Sequence, residues 1–191
     1  YGERILDCRI VGCTPQYLEM NQLKVDRGRF LTEHDAATFA NVAVIASDVA
    51  HELFTYENPI GKSVRIEKDF YVIVGQTESR MASAAIGGSL AAQEFNLDIY
   101  IPLATLRARI GDQVLTARSG SREGEILELS QITAKVGSIE EVDSTAEMLD
   151  ALLERFHDNK DYAIVVPKEL LRQAEVMQML FTVLLVLISG I

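Results

Sequence analysis

Apolar and polar positions change period several times along the chain, and each change marks an element. The organising stretch is Gly28 to Gly75. Within it, Asn41 to Ala46 holds the apolar run Val42, Ala43, Val44 and Ile45, which fits a buried strand. Ser47 then offers a side-chain oxygen to cap a helix. Val49, Ala50, Leu53 and Phe54 recur with helical spacing and give that helix one apolar face. Asn58-Pro59 and Gly61 mark a turn. Val64 and Ile66 alternate with Ser63, Arg65 and Glu67 as a half-buried strand, and Phe70 to Val74 is a second β-rich run closed by Gly75.

Upstream, Ile5 to Val11 reads as a strand ended by Gly12. Thr14-Pro15 suits a helix start, with Thr14 as cap and Pro15 in the first turn. Tyr17, Leu18 and Met20 supply its apolar side, and Leu23 to Asp26 reads as a further strand. Thr32 to Asp35 has capping-box spacing, with Asp in place of Glu.

Gln76 to Phe95 has no clear period and reads as a long excursion, with Ala-rich pieces around Gly87-Gly88-Ser89. Leu97 to Ile101 is a predicted strand, and Pro102 opens a helix through Ile110. Gly111 to Gly124, rich in Gly, Ser and charge, suits a linker or an exposed hairpin tip.

Beyond it, Ile132, Ala134 and Val136 alternate with Thr133 and Lys135 as a strand. Ser144 with Glu147 has capping-box spacing, and Leu149, Leu152, Leu153 and Phe156 form one helical stripe. Tyr162 to Val166 is an apolar strand stopped by Pro167. Strand, helix, strand predicts a βαβ unit with parallel strands. Lys168 starts the last helix. From Val176 the chain is apolar all round rather than striped. A helix from Val176 to Ile191 has 16 residues and spans roughly 24 Å, short of the ~30 Å hydrocarbon core. The run is still apolar where the sequence stops, so the expectation is a truncated membrane span rather than a buried core helix.

Composition narrows the function classes. A net charge of −10 opposes nucleic-acid binding, which needs a basic patch. An apolar fraction of 48% suffices for real cores. Cys8 and Cys13, five positions apart, point to opposite faces of a continuous strand, too far apart to bridge; a turn at Gly12 would bring them together, and pairing stays open. Tyr1 is not an initiator Met, and the expectation is that preceding residues were removed or belong to a longer chain.

Candidate chemistry is sparse. Gly61-Lys62-Ser63 ends like a phosphate-binding loop, but Tyr56 stands where that loop needs Gly. His51-Glu52 begins like a zinc-protease helix, but Thr55 replaces the second His. Glu33, His34 and Asp35 are adjacent and diverge at a helix start. His157 near a helix C-terminus and Glu140, Glu141 and Asp143 before a helix suit the helix dipole. No catalytic, cofactor-binding or metal-binding residue is assigned, and no cofactor is expected.

Val11 to Asp35 (VGCTPQYLEMNQLKVDRGRFLTEHD), Asn41 to Phe54 (NVAVIASDVAHELF), Asn58 to Ile66 (NPIGKSVRI), Phe70 to Gly75 (FYVIVG) and Ile99 to Leu106 (IYIPLATL) together resemble the extracytoplasmic, or periplasmic, core domain of MacB-type ABC transporter permeases, followed by the start of the FtsX-like membrane region. The resemblance implies an α+β fold: a porter-like part containing βαβ units (about 1–22 and 125–167), a small α/β insertion (about 23–124), and a stalk helix with the start of a transmembrane helix over 168–191. It implies a non-catalytic domain outside the inner membrane that couples cytoplasmic ATP hydrolysis to export or periplasmic movement of substrate. The implied partners are an ATP-binding cassette protein or domain, a second permease copy in a homodimer, a periplasmic adaptor and membrane lipid. The residues expected in the membrane are Met179, Leu180, Phe181, Val183, Leu184, Leu185, Val186, Leu187 and Ile188. The alternative is an extracytoplasmic module that binds or senses a peptide or lipid through the 76–95 excursion.

Overall fold

The computed structural model describes residues 5–55, 57–80, 95–111, 113–118, 121–126, 129–157, 162–166, 176–177, 179–185 and 188. The chain divides into two compact units, Tyr1–Ser83 with Ala92–Thr133, and Ala84–Ala91 with Ala134–Ile191.

The first unit is a mixed sheet with helices, an α+β arrangement. Its strands are β1 (Arg9–Cys13), β2 (Val25–Gly28), β3 (Val42–Ile45), β4 (Ser63–Ile66), β5 (Asp69–Thr77) and β6 (Asp98–Pro102). They run in the order β1-β6-β3-β5-β2, with β4 also on β5. β1 lies parallel to β6 and β3 parallel to β5, whereas β3–β6, β2–β5 and β4–β5 are antiparallel. Residues 1–22, grouped by sequence with 125–167, thus include β1, the edge of this sheet. A separate hairpin joins β7 (Gln113–Arg118) to β8 (Ser121–Ile126), which agrees with the predicted hairpin tip.

Both faces of the sheet are covered, because its strands alternate apolar residues to both sides. On one face Ala43, Ile45, Tyr71, Ile73, Ile99 and Ile101 pack with Val49 and Ala50 of α3 (Ser47–Phe54) and with Leu106 of α4 (Leu103–Arg109). On the other, Val44, Tyr100 and Cys13 pack with Leu23, Phe30 and Leu31, and with Tyr17 and Leu18 of α1 (Tyr17–Met20). Burying these apolar side chains is the main driving force of the unit.

Several local expectations change. Gly12 lies inside β1 and does not end it; a β-carbon there would meet Leu106 Cδ1 at 2.7 Å, so glycine lets α4 pack close. Residues 5–8 stay outside the ladder, because pairing with β6 begins at Arg9. Thr14 and Pro15 form a turn, with Tyr17 N–H donating to Thr14 O at 3.0 Å, and Gln16 holds the cap position of α1. Ser47 does not cap α3: Ala46 holds that position in extended backbone, and Ser47 Oγ donates to Asp48 at 3.0 Å. β5 runs through Gly75 to Thr77. By contrast, the Thr32–Asp35 capping box forms in full at α2 (Glu33–Ala37).

In the second unit α5 runs from Glu141 to Phe156. The Ser144–Glu147 capping box is absent, because the helix starts earlier and Ser144 Oγ donates to Glu141 O inside its first turn. Residues 131–136 and 162–166 carry no strand. An alternating segment becomes a strand only where a neighbour takes its backbone hydrogen bonds, and neither segment has a ladder partner among the described residues. Ile132 is 74% exposed.

Candidate functional site

Polar side chains gather at three places in the first unit. The largest group lies where β1 meets β6. Asp98 opens the apolar strand DIYIP and is 1% exposed. Its Oδ1 accepts from Arg9 Nε at 2.8 Å, its Oδ2 accepts from Arg9 Nη2 at 2.7 Å, and Tyr100 Oη donates to Oδ2 at 3.2 Å. The Tyr17 and Phe30 rings lie 5.7 and 5.8 Å from that of Tyr100, both on tilted planes. Burial, with Asp98 adding to it, pushes the Cys13 thiol up to about 12 and raises the Tyr17 and Tyr100 hydroxyls. The bond to Asp98 raises Arg9. A carboxylate held by a guanidinium fork, beside phenols and a thiol that stay protonated, supplies no nucleophile at neutral pH. The Arg9–Asp98 contacts tie β1 to β6.

The second group is a helix cap. Arg29 donates to both carboxylate oxygens of Asp35, at 2.6 and 3.0 Å, while Thr32 N–H and Oγ1 donate to Oδ2 at 2.8 and 2.7 Å. The guanidinium first, then the Thr32 donors, hold the Asp35 carboxyl at about 2 against the opposing effect of burial. Glu33 turns instead to Gln16 Nε2 at 2.6 Å. Glu33 and Asp35 therefore turn to different partners, and no metal-binding cluster occurs among the described residues.

The third group closes the neck of the excursion. Arg80 N–H donates to Asn96 Oδ1 at 2.8 Å, and Asn96 Nδ2 donates back to Arg80 O at 2.7 Å. The Arg80 guanidinium reaches Asn21 O at 2.7 Å and lies 4.8 Å over the Phe95 ring. Residues 81–94, on which the binding-module alternative rests, lie outside the described residues.

The other residues singled out in the sequence lie elsewhere. Gly61 has φ +82° in the turn before β4, and Lys62 pairs with Glu57 and sits 5.3 Å over the Phe54 ring. His51 and Glu52 lie on the exposed side of α3. His157 follows α5, its N–H donating to Leu153 O at 2.9 Å. Cys8 and Cys13 are free and pack on opposite faces of the sheet.

What remains is apolar surface. On α5, Met148, Leu152 and Phe156 are exposed. Residues 176–177, 179–185 and 188 are helical, and Met179, Leu180, Phe181, Val183, Leu184, Leu185 and Ile188 all stand exposed, Met179 at 70%. Val186 and Leu187 lie outside the described residues. Among those residues no helix is long and apolar enough to cross a membrane. Sequence reasoning missed the Arg9–Asp98 pair, which links positions 89 apart; the available signal was a lone carboxylate opening an otherwise apolar strand, since such a group needs a partner.

A family model for the MacB-like periplasmic core domain matches residues 1–152. The macrolide export ATP-binding/permease protein MacB of Aggregatibacter actinomycetemcomitans is 29% identical over 158 residues, which cover 82% of this chain and 21% of that protein. The uncharacterized ABC transporter permease YknZ of Bacillus subtilis is 23% identical over 193 residues, 100% of this chain and 43% of that one. The chain thus spans about a fifth of the length of the first of these relatives. Among solved structures, the periplasmic region of MacB from Actinobacillus actinomycetemcomitans is similar with a TM-score of 0.58 and 24% identity, covering 87% of this chain and 64% of that one. The extracellular domain of the Gram-positive transporter YknZ gives a TM-score of 0.58 and 20% identity, covering 84% and 71%. These two likenesses establish the α+β fold.

Proposed function

Since the chain belongs to the MacB-like periplasmic core domain family, we propose that it is the extracytoplasmic domain of an ABC transporter permease and carries motion rather than chemistry. One observation supports this reading above the rest: the described helical residues Met179, Leu180, Phe181, Val183, Leu184, Leu185 and Ile188 present apolar side chains to solvent. Water opposes such a surface, whereas hydrocarbon accepts it. Met179, Leu180, Phe181, Val183, Leu184, Leu185, Val186, Leu187 and Ile188 are then the membrane-inserted residues, in contact with lipid of the inner membrane. The folded body stays on the extracytoplasmic side.

In this reading the porter-like part is about 1–22 and 125–167, the insertion is about 23–124, and 168–191 is the stalk. ATP hydrolysis on a cassette protein or domain tilts the membrane helices. The stalk passes that tilt outward to the folded body, which works as a homodimer with a periplasmic adaptor. No Pro or Gly interrupts the sequence between Lys168 and Ser189, which suits a stiff lever. The polar clusters are consistent with a non-catalytic domain, because Arg9, Asp98, Tyr100, Arg29 and Asp35 are engaged in hydrogen bonds that tie elements of the fold together.

The test is a Gly-Ser pair inserted after Gln173 in the full-length permease. ATPase activity is expected to persist while transport falls. Transport at the unmodified level would overturn the lever.

A further inference from the structure

We propose that β1 opens from the sheet as a unit of its own, and that the Arg9–Asp98 ion pair is the latch that holds it. Four features converge. β1 is an edge strand whose only ladder neighbour among the described residues is β6. Its ladder is five residues long and begins at Arg9, where the chain leaves the unpaired segment 5–8. Arg9 and Asp98 are register partners at that first rung, and their side chains form the bidentate fork at 2.8 and 2.7 Å. Exposure is unequal, with the Arg9 side chain at 45% and that of Asp98 at 1%.

The asymmetry gives the latch its action. When β1 lifts away, Arg9 hydrates readily, but Asp98 stays in β6 and, among the described residues, keeps the Tyr100 hydroxyl as its one side-chain donor. A buried carboxylate stripped of its cation is costly, so the strand opens rarely while the pair is charged. The pair stands at the point where movement arriving along the preceding chain would first meet the sheet. Its use in coupling rests on the proposed function; its action as a latch rests on the geometry alone.

Hydrogen exchange on the 191-residue chain tests it, comparing ladder amides of Arg9–Cys13 with those of β3 and β5. In Asp98→Asn, exchange in β1 is expected to rise roughly tenfold to a hundredfold, the range for a lost hydrogen bond to a charged group, with β3 and β5 unchanged. Arg9→Lys keeps the charge and loses the fork, and should accelerate β1 by about tenfold; it carries the test if Asp98→Asn does not fold. Equal acceleration in all three strands overturns the proposal, as does unchanged exchange in β1. If the Gly-Ser insertion leaves transport intact while Asp98→Asn still frees β1, the lever fails and the latch stands.

Discussion

Gly75 of β5 faces Gly28 of β2 across an antiparallel pair, and neither position has room for a β-carbon. A β-carbon on Gly75 would lie 2.0 Å from Arg29 O; one on Gly28, where φ is +74°, would lie 2.2 Å from Val74 O. The clash is with backbone, which cannot rotate away, while Arg29 N–H donates to Val74 O at 2.9 Å beside it. The two strands therefore meet at glycine by steric necessity.

Gly75→Ala should destabilise the first unit by about 3 kcal/mol, the upper end for forced overpacking. A urea midpoint within error of the parent would mean that β2 and β5 can separate without cost at this crossing.

The two hydroxyl residues at helix starts should behave differently. Thr32 makes a complete capping box, so Thr32→Ala should cost about 1 kcal/mol. Ser47 caps nothing, so Ser47→Ala should stay within about 0.5 kcal/mol of the parent. Equal losses in thermal unfolding would contradict this assignment of the caps.

Acid should weaken the domain through Asp35. Its carboxyl titrates at about 2 in the folded state, against roughly 3.9 when unfolded. A depressed folded value means the stabilisation is complete above the unfolded value and disappears as pH falls from about 4 to about 2. Its size is at most about 2.6 kcal/mol, from roughly 1.9 pH units at about 1.36 kcal/mol each. Asp35→Asn should flatten that part of the stability profile; an unaltered profile would assign the acid sensitivity elsewhere.

Cys13 should resist thiol reagents. Burial places its thiol at about 12, so almost no thiolate forms at pH 8. In native protein, Ellman's reagent should reach Cys8 slowly and Cys13 only after denaturation. Prompt modification of two thiols in the native state would show that the second apolar cluster opens.

Leu184 lies within the exposed apolar helical residues. Leu184→Arg should reduce the fraction of chain that floats with lipid vesicles, since Arg at a helix centre costs roughly 2.5–3.5 kcal/mol in insertion. Equal flotation of the two proteins would argue that this segment does not enter lipid.

The central strands and helices were legible because their signals are local. Val42 to Ile45, Val49 to Phe54 and Phe70 to Val74 carry the periods that burial on one or two faces requires, and the Thr32–Asp35 box closes within three residues. Ser47 and Ser144 misled because capping depends on where the backbone leaves the helix, which the hydroxyl alone does not decide. The predicted strand around Ile132 failed for a related reason: alternation permits a strand, but only a neighbour completes one.

Of the candidate site, the apolar run from Val176 was written in composition and needed no fold to find. The Arg9–Asp98 pair was not, because 89 positions separate the two residues and only the β1–β6 register brings them together. Sequence alone determined the periodic elements and the apolar run from Val176, since each depends on residues within a few positions of one another. Tertiary structure decided which strands pair, where glycine is obligatory and which carboxylate is sealed by which guanidinium, because those outcomes depend on what distant segments bring to the same point in space.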